Sequence, residues 1–119
     1  MQPPAVGETH STTVTFTQRD YDEFARLSGD NNPIHVDPEF SARTTFGRTV
    51  AHGMALFGVL DATTARWLDT PLATVRQELM FTAPTFTGEA VTVDLAAIST
   101  SGEVIEVAQR MTRPDGVQT

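Results

Sequence analysis

Along this chain the hydrophobic positions keep a helical spacing early and alternate late. Thr12-Thr-Val-Thr-Phe16 is a β-branched run and predicts a strand. From Gln18 to Leu27 the apolar positions Tyr21, Phe24, Ala25 and Leu27 suit one side of a short helix, with Thr17 as its N-cap and Ser28-Gly29 as its stop. A loop is expected from Asp30 to Asp37. Asp37-Pro38-Glu39 then reads as a cap with proline at the first helical position, starting a short helix to about Arg43. Gly53 to Trp67 is the longest segment of helical character. Its apolar side chains occupy most of the circumference, which predicts a buried central helix. Two strands should follow, over about 74–83 and 90–98. In the second, Val91, Val93, Leu95 and Ala97 alternate with Thr92, Asp94 and Ala96, and Gly88-Glu89 makes the turn between them. Ser101-Gly102 is a further turn, leading into Glu103–Met111 with Ile105 and Val107 on one face. Residues 1–10, Pro-rich and polar, read as a loose lead-in. Strand, short helices, long helix and consecutive antiparallel strands make an α+β domain over 1–119, with a sheet wrapped around one helix.

Composition narrows the partners. A chain of 119 residues with 39% hydrophobic and 19% charged residues can build one real core. No run of about 18 apolar residues occurs, so a membrane-spanning helix is excluded. The formal charge of −7 argues against nucleic acid or an anionic membrane surface as partner. The absence of cysteine excludes disulfides and thiolate chemistry and fits a reducing cytoplasm. The first residues carry neither a basic segment nor an apolar core, and so do not read as a signal peptide.

The chemistry concentrates in Ser28-Gly-Asp-Asn-Asn-Pro-Ile-His35-Val-Asp-Pro and in Thr49-Val-Ala-His52-Gly53-Met. The first string puts a carboxylate, a carboxamide and an imidazole on one proline-stiffened loop. The second opens the long helix with a His-Gly step. Acid/base groups beside a helix N-terminus, which can hold developing negative charge, are the parts needed for proton transfer next to a carbonyl. Neither Asp30 nor His35 is unusual alone. An Asp after Gly is commonly a turn residue, and a lone His is often structural.

The wider pattern is more specific. Ser-Gly-Asp-x-Asn-Pro-Ile-His-x-Asp-Pro, then Phe46-Gly-Arg48-Thr-Val-Ala-His52-Gly53-Met, then Phe81-Thr-Ala-Pro84-Thr-Phe-Thr-Gly88-Glu89, resembles the MaoC-like, (R)-specific enoyl-CoA hydratase family from about Tyr21 to Ile98. The resemblance implies a hot-dog fold, an antiparallel sheet curled around a central helix and usually dimerised. It implies a hydro-lyase interconverting a 2-enoyl thioester and its (R)-3-hydroxyacyl thioester, the acyl group carried on coenzyme A or a carrier protein, with no other cofactor and no metal. Asp30 and His35 would hold and polarise the water, and the Gly53 N–H would face the thioester oxygen. Asn32, His52, Arg48 and Asp61 are the associated substrate-side candidates. For Asn32 an Asx turn is an equal alternative, for His52 positioning of the Gly53 turn, and for Arg43, Arg48 and Arg76 plain surface solvation rather than phosphate contact.

Two features depart from the family. Asp61 falls inside the helix expected to be buried, where a carboxylate costs several kcal/mol unless partnered. It should therefore face the substrate pocket or a subunit interface, marking a polar acyl group or the water-directing carboxylate of a hot-dog thioesterase. At the other end, Gly116 reads as a turn and Val117 as the first residue of a further strand that family members usually complete. Lacking it, the sheet edge is open, covered by a partner, or the chain has been shortened. A homodimer or a heteromer with a second hot-dog subunit is expected, with a subunit of a heteromeric hydratase or of a biosynthetic dehydratase/cyclase as the alternative.

Overall fold

In a computed structural model of the chain, which describes residues 4–69 and 73–119, the first element is strand β1, Thr9–Thr15. It starts earlier than expected. The supposed lead-in turns at Gly7 and joins the sheet, with the Gly7 N–H donating to the Ala97 carbonyl and the Ala97 N–H to Glu8; residues 1–3 lie outside the described part. Helix α1, Gln18–Ser28, begins at a full capping box between Thr17 and Asp20 and ends at Gly29, whose φ of 82° is left-handed. Tyr21 and Ala25 are its buried positions, whereas Leu27 stands 82% exposed rather than on the apolar side.

The stretch expected as a loop contains a single helical turn, α2, Pro33–Val36. Asn32 caps it by accepting the Ile34 N–H, and Pro33 holds the first position at helical φ. A turn this short leaves no periodicity to detect. Helix α3, Pro38–Ala42, follows with Asp37 as its cap, accepting the Phe40 N–H at 3.1 Å. Helix α4 runs over Gly53–Leu68.

Strands β2, Ala90–Ser101, and β3, Val104–Thr112, complete an antiparallel sheet in the order β1-β2-β3. The alternation in β2 holds: Val91, Val93, Leu95 and Ala97 are buried, and the pattern stops where the β2–β3 register shifts between Ala97 and Ser99. That face packs with Leu56 and Leu60 of α4, Phe16, Tyr21 and Met111 into the core.

Two expectations fail here. Residues 73–82 form no strand; they are exposed and meet the sheet side only through contacts such as Gln77 to Gln109 and the Thr82 N–H to the Thr119 carbonyl. Helix α4 is not buried all round: Leu56, Leu60, Thr63 and Leu68 form one buried side, while Met54, Gly58, Asp61 and Ala62 are exposed. Apolar residues on the outer side reflect composition, and only packing decides which of them are covered. At the chain end Gly116 makes the expected turn, and the following residues pair with the end of β3 through an isolated Thr112–Gln118 bridge rather than a strand.

The capping box predicts that Thr17→Ala lowers the unfolding free energy by ~1 kcal/mol in urea titration, whereas Leu27→Ala changes it by less than ~0.5 kcal/mol. Equal effects would contradict this account of α1.

Candidate active site

The extended segment 49–51, between α3 and α4, organises the site. Its Val50 N–H donates to the Ile34 carbonyl, its Ala51 N–H to Thr85, and its Thr49 carbonyl accepts the Thr87 N–H. It is thereby strapped to α2 on one side and to the 85–87 segment on the other. Val50 also accepts from the His35 imidazole: Nδ1 lies 2.8 Å from the Val50 carbonyl. A carbonyl only accepts, so Nδ1 carries the proton in the neutral ring, and Nε2 is left as a lone pair. His35 is 9% exposed, and its backbone is held as well, its carbonyl accepting from Gln18 Nε2 at 2.9 Å.

Asp30 Oδ2 faces that Nε2 at 3.8 Å. Two acceptors at this separation make no direct hydrogen bond, since that would need about 3.2 Å or less. They are placed to receive the two hydrogens of one intervening water. The Asp30 side chain is 54% exposed, so its carboxylate keeps contact with solvent while His35 sits in the wall. Ser28 Oγ accepts the Asp30 N–H, and Asp30 Oδ1 approaches the Asn32 N–H at 3.4 Å.

His35 and Gly53 line one cavity of about 370 Å³, whose other walls include Ile34, Phe46, Leu56, Phe81 and Pro84. Gly53 is the first residue of α4, so its N–H is among the four that have no intrahelical acceptor. The helix dipole adds positive potential there. The Phe81 ring covers this point so closely that a Cβ on Gly53 would lie 2.8 Å from its edge. Asp30 is not itself among the lining residues and reaches the site through its place beside His35. An imidazole with a neighbouring carboxylate, sharing a cavity with an unpaired helix N–H, can remove and return a proton while negative charge builds on a carbonyl oxygen. A larger hollow of about 550 Å³, between β1, α1 and the other flank of α4, contains none of these three residues.

The remaining candidates fall elsewhere. Asn32 acts on the backbone as the α2 cap and lies outside the lining of both cavities. Arg48 pairs with Glu89 and stacks over Phe86 at 4.9 Å. Arg76 pairs with Glu78, and Arg43 is exposed. Asp61 is not a buried carboxylate: it is exposed and lines neither cavity, because the side of α4 that carries it is uncovered. His52 is 2% exposed and also lines neither cavity. It donates from Nε2 to the Asp30 carbonyl at 2.9 Å and stacks on His35 with centroids 3.9 Å apart. Burial chiefly holds its pKa below the ordinary 6.5, and the neighbouring His35 adds to this against the opposing Asp30 carbonyl. Tyr21, edge-on to His52, donates to the Thr85 carbonyl, and burial pushes its phenol up to about 12.

One atom of each of Asp30, His35 and His52 lies within 4.8 Å of the others, a spacing that could suggest a metal site. The two imidazoles are stacked with only 25° between their planes, however, so their in-plane lone pairs do not converge on one ion. Sequence reasoning missed Val50, Gln18 and Tyr21. Val50 acts through its backbone carbonyl, which no residue type advertises, and Gln18 acts across 17 positions.

A family model described as "MaoC like domain" matches residues 2–114. Over 89 residues the chain is 38% identical to the 3-hydroxybutyryl-CoA dehydratase of Methylorubrum extorquens, covering 74% of this chain and 57% of that one. It is 37% identical over 101 residues to the (R)-specific enoyl-CoA hydratase of Rhodospirillum rubrum, covering 84% and 68%. Among solved structures, the (R)-hydratase from A. caviae involved in PHA biosynthesis superposes with a TM-score of 0.90 at 28% identity, over 99% of this chain and 92% of that one. The α+β architecture is thus that of the hot-dog hydratases.

Gly53→Ala should push the Phe81 ring aside rather than unfold the protein, since only the tip of an exposed side chain stands in the way. We expect stability within ~1 kcal/mol of wild type and displaced ring-proton resonances for Phe81; unmoved resonances would contradict the contact. His52 has a pKa lower folded than unfolded, so its share of stability is complete above about pH 6.5 and lost as pH falls toward the folded-state value. The urea midpoint should therefore fall less on acidification in His52→Gln than in wild type, and parallel curves would refute this.

Proposed function

The chain belongs to the MaoC-like domain family, and on that basis we propose that it interconverts a 2-enoyl thioester and its (R)-3-hydroxyacyl thioester. The observation that carries this reading is the paired acceptors. His35 Nε2 stripped of its proton by the bond to Val50 and Asp30 Oδ2 at 3.8 Å can seat one water beside the cavity that Gly53 also lines.

In hydration an O–H bond of that water breaks as its oxygen bonds to C3 of the enoyl group. The proton goes to the His35–Asp30 pair, and the electron pair of the C2–C3 double bond moves toward the thioester oxygen. The Gly53 N–H, at the positive end of α4, stabilises that oxygen while the enolate lasts, a type of contact worth on the order of 3 kcal/mol. The pair then returns a proton to C2, and dehydration is the reverse path. A carboxyl group and an imidazole, which in water titrate at about 3.9 and 6.5, are a combination able to exchange acid and base roles near neutral pH. No metal or cofactor beyond the carrier of the thioester enters this scheme.

Phe81 lines the cavity, Leu79 and Met80 precede it in the chain as further exposed apolar side chains, and a second hot-dog subunit, identical or not, would cover them. No helix among the described residues is long and apolar enough to cross a membrane. With no cysteine in the sequence, a cytoplasmic site of action suits the chain. Thioester hydrolysis directed by Asp61 is less favoured, because that carboxylate is exposed on the uncovered side of α4, whereas Asp30 lies 3.8 Å from His35, which lines the cavity.

Asp30→Asn and His35→Ala should each lower the rate of crotonyl-CoA hydration by ~10²–10⁴-fold. Undiminished turnover in both variants would sink the proposal, and release of free thiol by the wild type would point to hydrolysis instead. If crotonyl-CoA is inert, longer or carrier-bound enoyl thioesters take its place.

A further inference from the structure

We infer that His52 is a positioning residue, a neutral buried imidazole that sets the separation of Asp30 and His35 and ties both to the start of α4. The inference rests on the hydratase reading above and deepens it.

Three contacts of one residue carry it. The Nε2–H donates to the Asp30 carbonyl at 2.9 Å, and because a carbonyl only accepts, the tautomer is determined. The ring lies on the His35 ring at 3.9 Å and 25°, and the Phe24 ring packs against it at 4.7 Å. Its own carbonyl accepts the N–H groups of Ala55 and Leu56, so it is the residue on which α4 starts, immediately before Gly53. Carboxylate, imidazole and helix N–H are thus referred to a single side chain and its peptide. That side chain forms no cap hydrogen bond to α4 and lines neither cavity, so its polar contact is with Asp30 alone.

Its Nδ1 is buried with no partner. Protonation there would create a donor without an acceptor and set a cation against a ring that must itself become imidazolium during turnover. The titratable groups around it are Asp30 from the loop, His35 from α2 and Tyr21 from α1. None of them presents an acceptor to Nδ1. His52 therefore leaves the proton to His35.

The test pairs two variants with a spectroscopic readout on the intact protein. His52→Phe keeps the stack and loses the donor; His52→Gln keeps a donor at the same reach. We expect kcat in His52→Phe to drop by on the order of 100-fold from misplacement of the pair, with KM within about twofold, the limbs of the pH–rate profile retained, and partial recovery in His52→Gln. In wild type, ¹⁵N imidazole shifts should show His52 as the Nε2–H tautomer throughout the titration of His35. Wild-type kcat in His52→Phe, or loss of a limb of the profile, would overturn the inference, the second outcome making His52 a proton-transfer group. So would an Nδ1–H tautomer, or His52 titrating together with His35. If His52→Phe fails to fold, His52→Gln and the wild-type spectra still decide. If the wild type hydrates no enoyl thioester, the hydratase reading fails by itself, and the tautomer measurement still tells whether His52 holds Asp30.

Discussion

The hydrogen bond from His35 Nδ1 to the Val50 carbonyl is the contact on which the site depends. It joins a one-turn helix to the segment that leads into α4, and the reciprocal bond from the Val50 N–H to Ile34 makes the joint two-sided. Remove it, and the imidazole can rotate or change tautomer, and the lone pair facing Asp30 is no longer assured. Because Val50 and Ala51 are in turn held against the 85–87 segment, the geometry of the pair is inherited from the packing of the whole helical side of the molecule.

Burial then divides the work between the two members of the pair. His35 sits in the wall with one nitrogen committed to the backbone, whereas Asp30 is half exposed and held by local bonds to Ser28 and Asn32. The ring beneath them, His52, is enclosed and kept neutral by that enclosure. Two imidazoles of the same chemistry thus differ in environment: His35 keeps a lone pair facing Asp30, whereas His52 is enclosed and bonded to the Asp30 backbone.

The outer surface of α4 and the stretch 73–82 form the other half of the picture. Both carry apolar side chains that this single chain does not cover, among them Met54, Val75, Met80 and Phe81. Phe81 reaches back to close over Gly53. The same apolar residues that lead a periodicity argument to a buried helix and a strand are thus, in one isolated chain, the rim of a cavity and an unpaired segment.

Much of the architecture could be read directly from the residues. Thr17, Gly29 and Asp37-Pro38 are local signals that act on their own backbone within a few positions, and the alternation of β2 is a period of two that one buried face imposes. Asp30, His35 and Gly53 were recognisable as candidate chemistry because residue types and spacing expose it. The tautomer of His35, its 3.8 Å separation from Asp30, the place of His52 beneath both and the exposure of Asp61 were not. Each depends on partners far along the chain, on backbone carbonyls that every residue possesses, or on which side of a helix another element covers. Short-range hydrogen bonding and side-chain periodicity are properties of sequence, whereas proton placement and burial arise only when distant segments pack together.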